Sequence, residues 1–402
     1  MVVIYSYSTK EKKEKMQITA DVKYIGVNDP EVRLFEGQYP TPKGMAYNSY
    51  LILDESVAVL DSVEAGCLDE WLENIRAVVG PRKPDYLIVQ HMEPDHSANI
   101  AEFIRVYPEA KIVSTSAAFK MMSAFFGTDF KERAVVVNEG STLSLGRHTL
   151  SFHTAPMVHW PEVMVTYDKE DKILFSADGF GKFGVTDAED SWLDEARRYY
   201  IGIVGKYGKQ VEALLKKAAD LDVEIICPLH GPVLTENLGY YIELYSTWAS
   251  YRPEAKGVTV AVSSIYGNTR QAAELLTEEL RARGVPTEIY DLNRTHSSEA
   301  VAAAFKNSHL VLASVTYNGD VFPSMHALLH GLRERGFRDR YVYLIENGSW
   351  APSAARVMRD SLADCRGVTV SDRTVRVTSA VNDATRDEIS ALAEEIAASV
   401  LA

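Results

Sequence analysis

From Val258 onward, strand and helix signals alternate without a break. VTVAVSS is followed by a helical stretch from Asn268 to Arg283, PTEIYDL by one from Ser298 to Asn307, and HLVLASV by one from Ser324 to Gly336. YVYLIEN then precedes a helix from Ala351 to Leu362, and VTVSD a last one from Asp383. This is the βαβ grammar of an open, doubly wound parallel sheet. Such sheets bind ligands at the carboxyl ends of their strands, so the loops that follow the strands are where chemistry is expected.

The preceding residues follow another rule. From Asp21 to about Val165, short β-type runs (VKYIGV, SYLILD, VAVLDSV, DYLIVQH, KIVSTS, AVVVNEG, TLSFHTAP, VMVTYD) are separated by Gly, Asp, Asn and Pro turns. Helical periodicity interrupts them at Leu68–Val79 and at Ser97–Tyr107, each followed by another strand, which predicts a mixed α/β sandwich. A long amphipathic stretch runs from Trp192 to Ala219, and a helix from Tyr240 to Arg252 ends at Pro253, opening a linker to Gly257. With 402 residues the chain exceeds what one core holds, about 250 to 300 residues, so two domains are expected, 17–252 and 257–402. Residues 1–16 are expected to be a poorly ordered extension.

Composition narrows the function classes. Lys and Arg number 42 against 56 Asp and Glu, a formal charge of −14 that argues against a protein gripping nucleic-acid phosphates. The three cysteines, Cys67, Cys227 and Cys365, are far apart, which predicts neither a disulfide framework nor a thiolate metal site. The apolar start is followed by a Lys/Glu run, the wrong order for a secretory signal, and no apolar run reaches the roughly 18 to 20 residues of a membrane span. A soluble cytoplasmic protein is expected.

The densest polar motif is His91-Met92-Glu93-Pro94-Asp95-His96, directly after the apolar run DYLIVQ. In an extended chain His91 and Glu93 point the same way and Asp95 lies two residues further on; one metal could take His91 and Glu93, a second Asp95 and His96. Taken alone, the cluster reads equally well as loop polarity. Three more polar residues terminate apolar runs beside Gly or Pro: His159 in TAPMVHWP, Asp178 in LFSADGFG and His230 in IICPLHGP.

In the second half, Ser264-Ile265-Tyr266-Gly267-Asn268-Thr269 links a strand to a helix, and hydroxyls, a glycine and exposed helix N–H groups make a phosphate cradle there. Two further strand-end loops carry Thr316-Tyr317-Asn318-Gly319 and Asn347-Gly348-Ser349-Trp350. Trp350 with Ile265 or Tyr266 could sandwich a flat ring, while backbone groups near Gly319 and Gly348 meet its polar edge.

Together these residues resemble the flavodiiron proteins, from about residue 17 to the end. The resemblance includes the words KGMAYNSYLI, FHTAPMVHWPE, LFSADGFG and ARRYYIGI. It implies a metallo-β-lactamase-like αββα sandwich followed by a flavodoxin-like doubly wound sheet. It further implies FMN on the three loops and a non-haem diiron centre. His91, Glu93 and His159 would hold one iron and Asp95, His96 and His230 the other, with Asp178 bridging; Tyr47, Trp160 and Tyr200 would line the pocket or pack in the core. Hydrolases on this fold carry a histidine where Glu93 stands, and a carboxylate there favours a redox metal over zinc. The implied reaction is reduction of O2 to water or NO to N2O, and the alternative is a dinuclear zinc hydrolase. Without a C-x-x-C pair in the chain, electrons are expected from an external donor such as rubredoxin or a reduced deazaflavin. A head-to-tail homodimer or dimer of dimers is expected, with no nucleic-acid or membrane partner. Ala313, Val315 and the Glu346-Asn347 pair depart from the family's habits at the flavin loops.

Overall fold

The computed structural model describes residues 17–402, and the extension expected over residues 1–16 lies outside them. The chain divides into two compact units. One runs to Ala196 and resumes over Lys209–Ile242; the other comprises Arg197–Gly208 and Glu243–Ala402.

The first unit holds two sheets. The six-stranded one runs Val22–Tyr24, Tyr50–Leu53, Val57–Leu60, Tyr86–Ile88, Lys111–Ser114, Ala134–Val136. Its first two pairings are antiparallel and the rest parallel. The five-stranded sheet runs Thr142–Ser144, Thr149–Thr154, Met164–Asp168, Ile173–Phe175, Ile225–Cys227, antiparallel except for the last pairing. Tyr50, Ile52, Leu60 and Ile88 of the first sheet form one apolar cluster with Phe152, Met164, Phe175 and Cys227 of the second. Each such side chain, fully buried, contributes on the order of 1.5–3 kcal/mol. The Leu68–Val79 helix buries Trp71, Leu72, Ile75 and Val79 along one stripe, and Trp71 Nε1 donates to Ser49 Oγ at 3.0 Å.

Three helical expectations change. The helix expected over Ser97–Tyr107 is two pieces, Pro94–Ser97 and Ile100–Val106. Pro94 at the first helical position starts an early turn, and the buried Asn99 between the pieces donates its side-chain amide to Val63 O and Glu64 O. Asp95 and His96 therefore sit on a helical turn, not on the extended chain assumed above. A helix at Ser116–Phe126 was not expected; Thr115 Oγ1 accepts from Ala118 N at its start and Gly127, at φ 67°, ends it. The stretch from Trp192 to Ala219 is broken: Trp192–Tyr199 gives way to a π turn at Tyr200–Val204 and a 3-10 turn at Gly205–Tyr207 before Gly208–Ala218. Gly202, Gly205 and Gly208 weaken the helix there. Gly208 is needed for close approach, since a Cβ on it would stand 2.2 Å from Ala249 O.

In the second unit, five parallel strands run Thr287–Asp291, Ala255–Ser263, Asn307–Tyr317, Tyr341–Asn347, Thr369–Val377. Counted in chain order this is 2-1-3-4-5, the flavodoxin-like arrangement with its switch point beside the first strand. Asp320–Val321 folds back antiparallel on the Asn307–Tyr317 strand. Val260, Val262, Ala313 and Ile345 pack with Leu276 and Leu392 in its core. The helix expected from Ala351 begins at Ala354, because a residue preceding a proline disfavours the helical region and Ala351 stands at φ 42° ahead of Pro352. The αββα sandwich followed by a flavodoxin-like sheet is the expected architecture. No helix among the described residues is long and apolar enough to cross a membrane.

Candidate metal centre and flavin cavity

The seven candidate ligands come from loops, and for Asp95 and His96 a helical turn, that follow strands in both sheets of the first unit. They form two groups, His91, Glu93, His159 and Asp178, and Asp95, His96 and His230, in each of which one donor atom per residue lies within 4.8 Å of the others. In the first, His159 Nε2 is 2.9 Å from Glu93 Oε2, 3.1 Å from Asp178 Oδ2 and 3.3 Å from His91 Nε2. In the second, Asp95 Oδ2 is 3.4 Å from both His96 Nε2 and His230 Nε2, which are themselves 3.0 Å apart. Asp178 faces both groups: Oδ2 lies 3.5 Å from His91 Nε2, and Oδ1 lies 3.3 Å from His96 Nε2.

Hydrogen bonds on the far side decide which ring nitrogens carry lone pairs inward. His91 Nδ1 lies 2.9 Å from Glu162 Oε1, which also accepts from Met92 N at 2.8 Å. A carboxylate only accepts, so Nδ1 holds the hydrogen and Nε2 of the neutral ring is bare. His230 Nδ1 likewise donates to Ala46 O at 2.7 Å, leaving its Nε2 bare. Asp61, buried, accepts from the backbone N–H of Gln90 and His91 and from Gln90 Nε2, fixing the chain just ahead of the first ligand.

The electrostatics favour a cation. Both carboxylate oxygens of Asp95 and of Asp178 are buried with no hydrogen-bond donor aligned on them. Unneutralised buried carboxylates are costly, and without metal only protons can compensate. Burial opposes a charge on His91, yet Asp178, Glu162 and Glu93 outweigh it and lift its pKa well above the ordinary range. His159 is likewise held up at about 9, burial being outweighed by Asp178 and Glu93. Burial, aided by Glu93 and Asp178, pushes Asp95 up to about 7. Burial and then the neighbouring His96 hold His230 down at about 3, so that ring stays neutral and able to ligate. Three carboxylates and four imidazoles converging on two points fit two divalent cations.

Aromatic rings wall the site. Trp160 packs edge-on against His91 at 5.3 Å, and Phe35 and Tyr47 lie 5.4 Å and 6.1 Å from His230. Tyr200 is fully buried between Tyr245 and Trp248 in the second unit, the core-packing role.

In the second unit the three expected loops enclose a cavity of about 560 Å³. Its lining includes every candidate flavin residue except Gly267. Gly267 instead turns the chain at φ 96°, its N–H donating to Ser264 Oγ at 3.1 Å, and leaves the Asn268–Ala282 helix with no side-chain cap. The free N–H groups of that first turn suit a phosphate. Tyr266 and Trp350, 93% and 82% exposed, stand at the mouth with apolar surface for a stacked ring.

Comparison with known proteins agrees with this geometry. The model of the ODP family beta lactamase matches residues 45–231. Coenzyme F420H(2) oxidase of Methanothermobacter marburgensis is 31% identical, over 79% of this chain and 81% of its own. Nitric oxide reductase of Moorella thermoacetica is 29% identical, over 87% and 90%. Rubredoxin oxygen:oxidoreductase from Desulfovibrio gigas superposes with a TM-score of 0.89 at 26% identity, covering 96% of this chain and 98% of that one. The flavodiiron protein from Giardia intestinalis gives 0.88 at 26%, covering 96% of each. The chain belongs to the flavodiiron proteins.

Within this flavodiiron protein, Glu162 and Asp61 are site residues that sequence reasoning missed. Glu162 was visible only as the last letter of FHTAPMVHWPE, and nothing in its turn-like surroundings marks it as buried. Ala351 and Ser379 also line this second-unit cavity unannounced, beside Val315, one of the departures noted at these loops. Five histidines outside the two groups, His148, His153, His296, His309 and His326, have ordinary partners, among them His148 with Asp168 at 2.8 Å and His309 with Ser399 at 2.9 Å. A third acidic group, His148, Asp168 and Asp171, has Arg147 3.8 Å from Asp171.

Proposed function

We propose that this chain is an oxidoreductase that reduces O2 to water, NO to N2O, or both, at two irons, with electrons entering through FMN in the second unit. The observation that carries the proposal is Asp178, whose two oxygens each face a separate cluster of bare imidazole nitrogens and carboxylates. Two irons and one FMN, when bound, hold the four electrons that O2 requires.

The chain's own residues prepare that chemistry. His91, Glu93 and His159 would hold one metal, Asp95, His96 and His230 the other, with Asp178 between them. Glu93 supplies an anionic oxygen that favours the ferric state, and this distinguishes the site from a zinc hydrolase. Glu162 and the Ala46 carbonyl set the tautomers of His91 and His230. Phe35, Tyr47 and Trp160 exclude water around the rings. Ser264, Ile265, Tyr266, Asn268 and Thr269 would hold the FMN phosphate end, with the Thr316–Gly319 and Asn347–Trp350 loops around the ring.

The reading extends to a two-domain chain, 17–252 and 257–402, working in the cytoplasm as a head-to-tail homodimer or dimer of dimers. Its donor would be an external rubredoxin or a reduced deazaflavin, the latter suggested by the F420H(2) oxidase relative. The test is anaerobic purification with iron, zinc and FMN quantified on one sample, then stopped-flow mixing of the reduced protein with O2 and with NO. Two irons and one FMN per chain with rapid reoxidation are expected; two zincs, or a reduced protein inert to both gases, would overturn the proposal.

A further inference from the structure

The loop that carries Trp350 follows a buried carboxylate, Glu346, which pairs with the exposed Arg376 on the neighbouring strand. Glu346 is 2% exposed and sits in register between Ser314 and Arg376 on the flanking strands. Its Oε1 accepts from Arg376 Nε at 2.8 Å, and its Oε2 from Ala355 N at 3.1 Å, in the first turn of the Ala354–Leu362 helix. That helix has no cap of its own: Ser353, at the cap position, makes no side-chain bond to it. Thr316 Oγ1 instead accepts from Ser353 N at 3.0 Å and Ala354 N at 3.2 Å. Three successive N–H groups are thus taken by side chains of two neighbouring strands, Thr316 and Glu346.

The other end of the loop is tied as well. Gly348 N donates to Val377 O at 3.1 Å, Asn347 Nδ2 to Ser379 O at 3.2 Å, and the hydroxyls of Ser349 and Ser379 meet at 2.6 Å. Between these anchors Trp350 stands in solvent and Ala351 adopts a left-handed conformation, φ 42°, that a residue with a Cβ holds only when its surroundings impose it.

We infer that the Glu346–Arg376 pair, with Thr316, is a clamp that sets the Asn347–Ser353 loop in its flavin-receiving form, making Glu346 and Arg376 positioning residues for FMN. The inference rests on the reading that this cavity takes FMN. A loop ordered before the ligand arrives binds at its intrinsic affinity, whereas a loop ordered only a tenth of the time binds about tenfold more weakly. Both members of the pair matter in the same direction for a clamp. A mere electrostatic influence would act oppositely, since removing Glu346 leaves a positive charge favouring the reduced anionic flavin and removing Arg376 leaves a negative one opposing it.

The experiment titrates FMN into the full-length apo-protein, by quenching of flavin fluorescence, for the wild type, E346A, E346Q, R376A and R376K, with the midpoint potential of bound FMN measured on each. Thermal unfolding and iron content check that each variant is folded. Both alanine variants are expected to bind FMN about tenfold more weakly, with E346Q and R376K recovering part of the loss. Unchanged affinity in folded E346A and R376A, or affinities moving in opposite directions, would overturn the clamp. A wild type that takes up no FMN would instead sink the reading of the cavity itself.

Discussion

Glu162 and His91 join the two sheets of the first unit at the candidate metal centre: Glu162 precedes the Met164–Asp168 strand, His91 follows the Tyr86–Ile88 strand, and Oε1 of one lies 2.9 Å from Nδ1 of the other. One carboxylate thereby sets a ligand's ring orientation and ties the two halves of the sandwich where the ligands converge. Glu162→Ala is expected to lower iron affinity by roughly 10- to 100-fold, the usual cost of losing such a partner. Iron retained per chain after graded chelator exposure measures it, and wild-type retention would show that His91 needs no orienting group.

Asp178 is the residue shared by the two ligand groups. Asp178→Asn and His159→Asn are each expected to cut O2 or NO turnover by more than about 100-fold, because the paired site is lost, while FMN content stays at the wild-type level. Loss of flavin in either variant would mean that the damage reaches beyond the paired site.

A pH dependence of stability is expected from His148, buried 2.8 Å from Asp168 and 3.4 Å from Asp21. Burial disfavours the imidazolium, but Asp168 and Asp21 outweigh it and hold the pKa at about 9. The folded value is above the ordinary one of about 6.5, so the contribution is fully present below about pH 6.5 and fades as pH rises through about 9. Urea unfolding of wild type and His148→Gln at pH 6, 7.5 and 9 should show the gap between them narrowing with pH. A constant gap would place the origin of the stabilisation elsewhere.

Gly208→Ala should destabilise the second unit by about 2–4 kcal/mol, since the new Cβ would overlap Ala249 O at 2.2 Å and Tyr251 Cε2 at 2.7 Å. Denaturant melts followed by tryptophan fluorescence would detect it; a midpoint within error of wild type would mean the backbone yields there at little cost.

Much of this molecule is legible in its residues, for physical reasons. His91, Asp178 and His230 are visible because each ends an apolar run, and a polar side chain there must face either solvent or a site. The parallel sheet is visible because its strands are buried along most of their length, as Tyr341–Asn347 shows. Asp95 does lie with His96 and His230, but on a different backbone from the one expected, because Pro94 starts a helical turn that an extended reading overlooks. The Ser116–Phe126 helix escapes notice although Thr115 and Gly127 bracket it, its apolar residues being too dense to show a clear stripe. Glu162, Asp61 and Glu346 are beyond local reading: a buried acid looks like a surface acid until tertiary structure supplies the donors around it.

The interleaving of the chain between its two compact units bears on any attempt to dissect it. A fragment starting at residue 257 would leave behind Glu254, whose carboxylate accepts from Arg197 and from Trp248 Nε1, together with the Tyr200, Tyr245 and Trp248 rings. No single scission separates the two units, because part of the second is encoded some fifty residues upstream, inside the stretch that builds the sandwich. Gene fusion or fission in this lineage would have to respect that braid, and recombinant truncations should too.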